Sequence, residues 1–463
     1  MTDILGDARV CTASHPQLKR RSYRRSVALL GTAALAAALA GCGSSSSGSS
    51  TASSGASGGT TSSAPATDSA ASSGLHKIFG PGGKAGGAGV TIPAGMLLAV
   101  TGQGSFFGDV MSKGAKLAAA QIKAADGIDY KITIADHKSG DVPAALSGVR
   151  EMVSQNKIKV LQTSYGAPSE AIAPLIAQNK LLSFNGGGSS PGQVGKPFLY
   201  QTRMIFGDDP APGALAYLAK TYPNAKRLAV VGTKENGVAG RNEIAPRVWK
   251  QLTGGSVVAN EQHDVGATDF QSLVARVKSS KPDAILTFSF GDDVGYLVKA
   301  IREANLTIPI MGIEFTAQAA KVAGDSYNSY NFATDFYDPT NPNPWNQIFV
   351  KGYRDAYGKD PEYYGANYYE QVFWTWDLVR RVIAAGGDPT DTEALQKALI
   401  ANPKFPSLYG GSADKPGEVQ FDVTAHTISK PMAVFKVVGG TPVKLATITK
   451  LAAGADPKTA LGQ

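Results

Sequence analysis

Two loops rich in hydroxyl groups follow apolar strands in this chain. The first reads Thr163-Ser164-Tyr165-Gly166-Ala167-Pro168-Ser169, and the second reads Asn185-Gly186-Gly187-Gly188-Ser189-Ser190-Pro191. Each leads from a strand into a helix, where hydroxyls and free backbone N–H groups can bind a carboxylate. Taken alone, each loop is better explained by N-capping, in which Ser169 or Ser190 bonds its own helix. Two such loops on neighbouring strands favour an anion site.

A single acidic residue follows a third apolar strand. Glu314 comes directly after Met311-Gly312-Ile313, and a carboxylate in such surroundings is costly to desolvate unless it is paired. Its partner is either a lysine or arginine of the protein or a cationic group of a ligand. The residues themselves leave these two alternatives equally open.

The residue patterns indicate no reaction chemistry. The five histidines are scattered without a metal-binding motif, and His263-Asp264 is interpreted as a polar loop pair. The glycines of 102–108 lack the spacing of a dinucleotide-binding loop, and no nucleophile elbow of the G-x-S-x-G type occurs. The sequence therefore predicts no catalytic residue, no metal site and no cofactor, so we do not expect an enzyme.

The elements that must position these loops alternate between strand and helix. One series runs from Met96 to Asn185 and a second from Arg227 to Gly312, with helices resuming at about 345–401 and a strand-like stretch over Met432–Val438. Two strand–helix series predict an α/β fold with two parallel sheets, each covered by helices on both faces. A chain of 463 residues is also too long for one compact core.

Seven aromatic residues lie close together in one helical stretch of the chain. Their spacing predicts packing in a core or between lobes, with a stacking platform for a sugar as the lesser alternative. These residues are Tyr363, Tyr364, Tyr368, Tyr369, Phe373, Trp374 and Trp376.

The N-terminus has the features of an export signal. A basic cluster over 19–25 precedes an apolar run over 27–40, and Leu39-Ala40-Gly41-Cys42 resembles a bacterial lipobox. We expect residues 1–41 to be a signal peptide, Cys42 to carry lipid, and residues 42–94 to form a disordered tether rich in serine and glycine. The other cysteine, Cys11, lies in the removed part, so the mature protein has neither a disulfide nor a thiol nucleophile.

The charge of the chain gives little support for a polyanionic partner. The formal net charge is +8, but six basic and two acidic residues lie in residues 1–41, so the mature chain carries +4. No basic run with interleaved aromatic residues follows the signal, and nucleic-acid binding is therefore not expected.

The order and spacing of several motifs resemble the leucine/isoleucine/valine-binding protein family, the solute receptors of branched-chain amino acid ABC importers. Besides the two serine loops, the resemblance rests on motifs spread over residues 95–440. These are Gly108-Asp109 with Lys113-Gly114-Ala115, Asp269 to Arg276 with Lys281-Pro282-Asp283, and Met311 to Glu314.

The resemblance implies a clamshell of two Rossmann-like lobes, joined by three crossovers near 207–212, 335–340 and 412–420. Residues 95–210 and 338–415 would form the first lobe, and residues 211–337 and 416–450 the second, followed by a C-terminal tail over 451–463. The ligand would be held between lobes that close by a hinge motion.

The resemblance also implies a site for an amino acid. The α-carboxylate would be held by Ser189, Gly187 and the Ser164-Tyr165-Gly166 loop, and the α-ammonium would pair with Glu314. Phe107 and Phe290 match aromatic positions that line the family's pocket. Gly237 stands where an aromatic contact is expected, and the choice between the serine hydroxyls stays open.

We therefore expect a monomeric, exported, lipid-anchored receptor on the outer face of the cell membrane or in the periplasm. It would deliver a small amino acid, branched-chain or otherwise apolar or aromatic, to an ABC permease. The alternatives are a receptor of the same fold for an amide, urea or aromatic acid, or a sensory receptor that is not coupled to a permease.

Overall fold

The computed structural model describes residues 69–205, 207–234, 237–451 and 454–462. The expected signal peptide, the lipidation site Cys42 and the first part of the expected tether lie outside the described residues.

The first part of the chain alternates strands and helices, as the periodicity predicts. Asp141 caps one of these helices through its carboxylate, which accepts the Ala144 N–H at 2.6 Å. The elements are α1 (Ser69–Phe79), β1 (Thr91–Leu98), α2 (Ser105–Asp126), β2 (Asp129–Asp136), α3 (Val142–Ser154), β3 (Val160–Thr163), α4 (Gly166–Gln178), β4 (Leu182–Asn185) and β5 (Leu199–Gln201).

The second series repeats this alternation. Its central strands are almost entirely buried, which fits parallel strands covered on both faces. The elements are α5 (Ala211–Thr221), β6 (Arg227–Thr233), α6 (Ala245–Thr253), β7 (Ser256–His263), α7 (Gln271–Ser279), β8 (Ala284–Phe288), α8 (Asp292–Glu303), β9 (Ile310–Gly312), α9 (Ala317–Ala323) and β10 (Asn331–Asp335).

The described residues from 344 onward supply three α-helices and then five strands. Asn343 begins the first of these helices by accepting the Trp345 N–H at 2.9 Å. The elements are α10 (Pro344–Tyr357), α11 (Tyr363–Ala384), α12 (Thr392–Ala401), β11 (Lys404–Ser412), β12 (Lys415–Asp422), β13 (Thr427–Ile428), β14 (Met432–Val438) and β15 (Thr441–Ile448).

These strands form two sheets, one in each lobe. The first has eight strands in the order β11-β12-β13-β5-β4-β3-β1-β2, and the second has seven in the order β15-β14-β10-β9-β8-β6-β7. Strands β1–β5 and β6–β10 pair in parallel, whereas β11, β12, β14 and β15 add antiparallel pairs at the edges. The α/β class with two lobes is confirmed, and each sheet is mixed rather than wholly parallel.

The boundary expected near 412–420 for the third crossover is wrong. Strand β12 pairs with β11, and β13 pairs with β12 and β5, so the chain stays in the first sheet as far as Ile428. It crosses at 429–431 and enters the second sheet with β14. The described residues of the expected C-terminal tail pack on the second lobe, where Leu461 bridges to Ile448.

The expected tether ends earlier than residue 94, because residues 69–90 pack on the first lobe. We call residues 69–90 the strap. Leu75 and Phe79 lie on one face of α1 and are buried, and the Phe79 ring lies 5.0 Å from that of Trp345. This i, i+4 apolar pair stabilises the packed helix. The sequence nevertheless predicts a tether here because the residues before this helix are mostly polar.

Buried polar groups join the strap to the lobe beneath it. The Asp126 carboxylate, fully buried, accepts from His76 Nε2 at 2.8 Å, the Gly83 N–H at 3.1 Å and Arg380 Nη1 at 3.0 Å. Trp376 Nε1 donates to the Gly86 carbonyl at 2.9 Å. The strap is therefore part of the folded first lobe.

Candidate functional site

A cleft between the lobes lies at the carboxyl ends of the parallel strands, where ligands bind to sheets of this kind. Its volume is about 390 Å³ including the side open to solvent. The two lobes also approach each other at Gly266 of the second, where a built Cβ would lie 2.8 Å from Gln103 Oε1 of the first. The lining residues are Phe107, Met111, Tyr165, Gly166, Gly187, Gly188, Phe290, Glu314 and Tyr364.

The first serine loop places the start of α4 at this cleft. Tyr165 is the residue before the helix and has φ 66° and ψ 149°, a conformation that L-residues rarely adopt. Ser169 does not cap the helix, because its hydroxyl donates to the Ser164 carbonyl and contacts Thr163 Oγ1. The N–H of Gly166 is the first of the helix and has no acceptor within it. This helix N-terminus therefore offers donors to the cleft.

Ser164 itself points away from the cleft. Its hydroxyl donates to the Leu97 carbonyl at 3.2 Å and lies 2.8 Å from His137 Nε2. Because the Gly140 N–H donates to His137 Nδ1, the imidazole proton is on Nε2 and is donated to Ser164. Burial lowers the pKa of His137 to about 4, so this histidine is neutral at pH 7. Ser164 thus supports the loop from behind.

The second serine loop is folded back on Asn185. Asn185 Oδ1 accepts the N–H groups of Gly187 at 3.1 Å and Gly188 at 3.2 Å, so both amides are satisfied within the loop. The Ser190 hydroxyl donates to Glu170 rather than capping a helix. Ser189 is 2 % exposed, and its hydroxyl has no hydrogen-bond partner. Of the two candidate serines, Ser189 therefore has the spare hydroxyl.

Glu314 reaches the cleft from the second lobe and is 6 % exposed. Its Oε1 accepts from the Tyr364 hydroxyl at 2.7 Å, and its Oε2 accepts from the Gly291 N–H at 2.9 Å. Burial raises the pKa of Glu314, and these two hydrogen bonds oppose the rise. Among the described residues, no lysine or arginine forms an ion pair with this carboxylate.

The aromatic walls come from both lobes. Phe107 of α2 packs edge to face on Tyr364 of α11 at 5.1 Å, and Phe290 follows β8 on the opposite side. Phe290 lies in Ser289-Phe290-Gly291, which follows β8 much as Ser164-Tyr165-Gly166 follows β3. The two lobes thus present a similar aromatic turn to the same space.

A histidine and a serine are paired behind the second turn as well. His263 Nε2 lies 2.7 Å from Ser289 Oγ, and His263 Nδ1 lies 2.9 Å from the Asp264 carbonyl and 3.8 Å from Asp293 Oδ2. These residue types could form a nucleophilic triad, but Ser289 is fully buried and no substrate can reach it. The arrangement stabilises the loop.

Buried ion pairs lie beside the cleft at the crossovers, and the sequence did not indicate them. Arg203, which lies between β5 and α5 where the chain passes from the first lobe to the second, binds Asp335 through Nε at 2.9 Å and Nη2 at 2.6 Å. Lys430 of the third crossover binds Glu370 at 2.7 Å and Asn367 at 2.6 Å. The only sign of these ion pairs in the sequence was that Arg203 and Lys430 lie between segments that form different sheets.

The expected site residues divide into two groups. The cleft brings together Phe107, Tyr165, Gly166, Gly187, Phe290 and Glu314 from distant parts of the sequence. Ser164 and Ser189 are buried and are not among the lining residues. Met111, Gly188 and Tyr364 were missed, and Tyr364 lies in the aromatic stretch that we expected to be packing.

Comparison with known proteins agrees with this architecture. A model of the periplasmic binding protein family matches residues 91–441. The Leu/Ile/Val-binding protein homolog 1 of Brucella melitensis is 26% identical over 341 residues, which are 72% of this chain and 89% of the relative.

Solved structures of other proteins share the fold as well, among them two with bound ligands. A branched-chain amino acid transporter substrate binding protein from Streptococcus pneumoniae, in complex with isoleucine, has a TM-score of 0.62 and 19% identity over 77% of this chain and 99% of its own. An ABC transporter solute binding protein from R. palustris, in complex with benzoate, has a TM-score of 0.63 and 21% identity over 78% of this chain and 96% of its own.

Fold and cleft define a two-lobed α/β binding protein. The chain belongs to the periplasmic binding protein family. It is a solute-binding protein, and the family is not one of enzymes. Membership of this family agrees with the expected location outside the cytoplasm. No helix of the described residues is both long and apolar enough to cross a bilayer.

Proposed function

We propose that the protein is the extracytoplasmic solute-binding lipoprotein of an ABC importer and binds a small apolar or aromatic amino acid between its lobes. One observation carries the choice of ligand. Glu314 is a buried carboxylate in the cleft, and no cation of the described residues is paired with it. A buried charge of this kind is stabilised by a charge of opposite sign, which the ammonium of an amino acid supplies.

The opposite lobe supports the binding of the other end of a zwitterion. The start of α4 at Gly166 and the spare hydroxyl of Ser189 are donors suited to a carboxylate. Closure would remove water from both ends of the ligand, and each charged hydrogen bond strengthens as the surroundings become less polar.

The remaining walls fit an apolar side chain. Phe107, Met111, Phe290 and Tyr364 line the cleft and present largely apolar surface to it. Burial of an apolar side chain between such walls favours binding by about 25 cal/mol for each Å² of apolar surface removed from water.

An aromatic acid is the second candidate ligand. The same walls and helix N-terminus would accept a benzoate-like molecule, and one neighbour in fold was solved with benzoate. Against it, a monocarboxylic acid brings no positive charge to Glu314, which would stay buried without a partner.

Calorimetry on the purified full-length protein distinguishes these ligands. Thermal-shift screening of the twenty amino acids identifies the tightest, and with leucine as the example we expect 4-methylpentanoate and 3-methylbutylamine to bind at least 100-fold more weakly. These analogues lack the ammonium and the carboxylate, respectively. Benzoate binding without amino-acid binding would reject the proposal in favour of the second candidate.

The lipid anchor and the coupling to a permease are tested in cells. A Cys42→Ser substitution should abolish labelling by radioactive palmitate and release the protein from the membrane fraction. Deletion of the protein should abolish uptake of the labelled ligand. Labelling that persists in Cys42→Ser would reject the anchor, and unchanged uptake would favour a sensory role.

A further inference from the structure

Tyr364 makes a hydrogen bond that joins the two lobes inside the cleft. It belongs to α11 of the first lobe, and its hydroxyl donates to Glu314 Oε1 of the second lobe at 2.7 Å. The same hydroxyl accepts from Arg203 Nη1 at 3.1 Å. A guanidinium only donates and an ionised carboxylate only accepts, so the hydrogen bonds run in one direction from Arg203 through Tyr364 to Glu314.

Arg203 is itself held rigidly. Its side chain is 2 % exposed and binds both oxygens of Asp335, which begins the second crossover. The centre of the guanidinium also lies 5.3 Å from the Tyr364 ring centroid. Tyr364 therefore receives its hydrogen bond from a cation that cannot turn elsewhere.

Asp335 offsets only part of the charge of Arg203 at Glu314, and the hydrogen bonds that Glu314 accepts come from neutral donors. A phenol that accepts from a guanidinium donates more strongly, because hydrogen bonds in a chain polarise one another. Burial and the charge of Glu314 raise the pKa of Tyr364, so its hydroxyl keeps the proton that it donates.

We propose that Tyr364 is a positioning residue for Glu314: it relays the charge of Arg203 to the carboxylate and holds it ionised and aimed at the cationic group of the ligand. This assigns to Tyr364, which the sequence placed among packing aromatics, a part in selecting ligands that carry a positive charge. The ligand half of this inference rests on the proposed function.

Other ionisable groups near Glu314 must be considered in a pH experiment. The tyrosines keep their protons because burial raises their pKa, and Arg203 keeps its charge. The carboxylates are present in every variant compared below, so their titration cancels in the comparison. The groups are Tyr165, Arg203, Asp292, Asp293, Tyr327, Tyr330, Asp335 and Tyr364.

The first test needs no ligand. The melting temperature is measured from pH 4 to pH 9 for the wild type, Glu314→Gln, Tyr364→Phe and the double variant. A carboxyl group whose pKa is raised on folding makes the glutamate protein lose stability relative to its glutamine variant between the unfolded-state and the folded-state pKa. The upper limit of this window marks the pKa of folded Glu314.

Loss of the Tyr364 hydroxyl should raise this upper limit by about 1 to 2 pH units, the effect expected of one charge-assisted hydrogen bond. Tyr369→Phe is the matched control, because its hydroxyl is on the same helix but bonds Gln121 away from the cleft. An unmoved limit in Tyr364→Phe, or an equal movement in Tyr369→Phe, would overturn the inference.

The second test uses the amino acid that binds the wild type. Its affinity in Tyr364→Phe should fall at a higher pH than in the wild type as the solution is acidified. Binding that follows the same pH profile in both proteins would refute the relay while leaving the proposed function standing. Should the wild type bind no amino acid, the proposed function fails and the ligand-free window alone decides the relay.

Discussion

Replacing Glu314 by glutamine should separate ligand affinity from the stability of the free protein. The substitution keeps the size of the side chain and removes the negative charge that we propose pairs with the ammonium of the ligand. Removing one partner of a buried, hydrogen-bonded charge pair costs about 2–5 kcal/mol, which corresponds to a loss of affinity of about 30-fold to 5,000-fold. The dissociation constant measured by titration calorimetry at pH 7.5 should rise by this factor.

The free protein should respond in the opposite sense as the pH rises. Burial raises the pKa of Glu314, so its ionisation lowers the stability of the folded state above the unfolded-state pKa. The melting temperature of Glu314→Gln relative to the wild type should therefore increase with pH. Any constant offset from the altered hydrogen bonds to Gly291 and Tyr364 does not change this slope.

Glu303→Gln is the control for both measurements. Glu303 lies at the exposed end of α8 in the same lobe and should bind ligand as the wild type does. An affinity of Glu314→Gln within threefold of the wild type, with Glu303→Gln also unchanged, would refute the pairing of Glu314 with the ligand.

Three further substitutions test separate parts of the molecule. Ser189→Ala should weaken amino-acid binding about tenfold or more in calorimetry. Ser164→Ala should chiefly lower the free energy of unfolding, by about 1–3 kcal/mol, because it leaves His137 Nε2 without its hydrogen-bond acceptor. The reverse pattern would exchange the roles of the two serines. Phe79→Ala should lower the free energy of unfolding in urea by about 3–5 kcal/mol, and the exposed Lys77→Ala should not; equal effects would mean that the strap is not docked. Lys430→Met should cost about 3–5 kcal/mol in urea because Glu370 is left buried and unpaired, and Lys430→Met with Glu370→Gln should recover part of the loss; no recovery would contradict this cause.

The alternation of strands and helices could be predicted because it is written in local periodicity. Apolar runs such as Met96 to Leu98 and Leu228 to Val231 lie in buried strands of the two sheets, although the first strand ends before Val100. The third crossover could not be placed in this way. Strand β12 pairs with β11 and β13, and local periodicity does not show which strands pair. The sequence of this hairpin would therefore fit the sheet of either lobe.

The strap was missed for a different reason. Its composition continues the serine- and glycine-rich segment before it, and only Leu75 and Phe79 mark a buried face. What holds it is the pairing of His76 with Asp126, fifty residues away, and local sequence carries no sign of such a contact.

The site was predictable where residues follow strands directly. Glu314, Gly187 and Phe290 reach the cleft because the carboxyl ends of parallel strands meet at one edge. The orientation of a hydroxyl is decided by its surroundings, and Ser164 turns inward because His137 lies behind it. Most of the aromatic stretch of α11 is buried as expected, yet Tyr364 faces the cleft because the helix starts beside the crossovers.

The strap gives the two halves of this molecule unequal freedom. The first described element is α1, which is secured to the first lobe through Phe79 and Asp126, and the last described residues pack on the second lobe. Anchoring of the N-terminus would therefore fix the first lobe and leave the second lobe to move about the three crossovers. A partner that accepts the ligand would then meet a fixed first lobe and a moving second lobe. The closed position of the second lobe would indicate that ligand is bound.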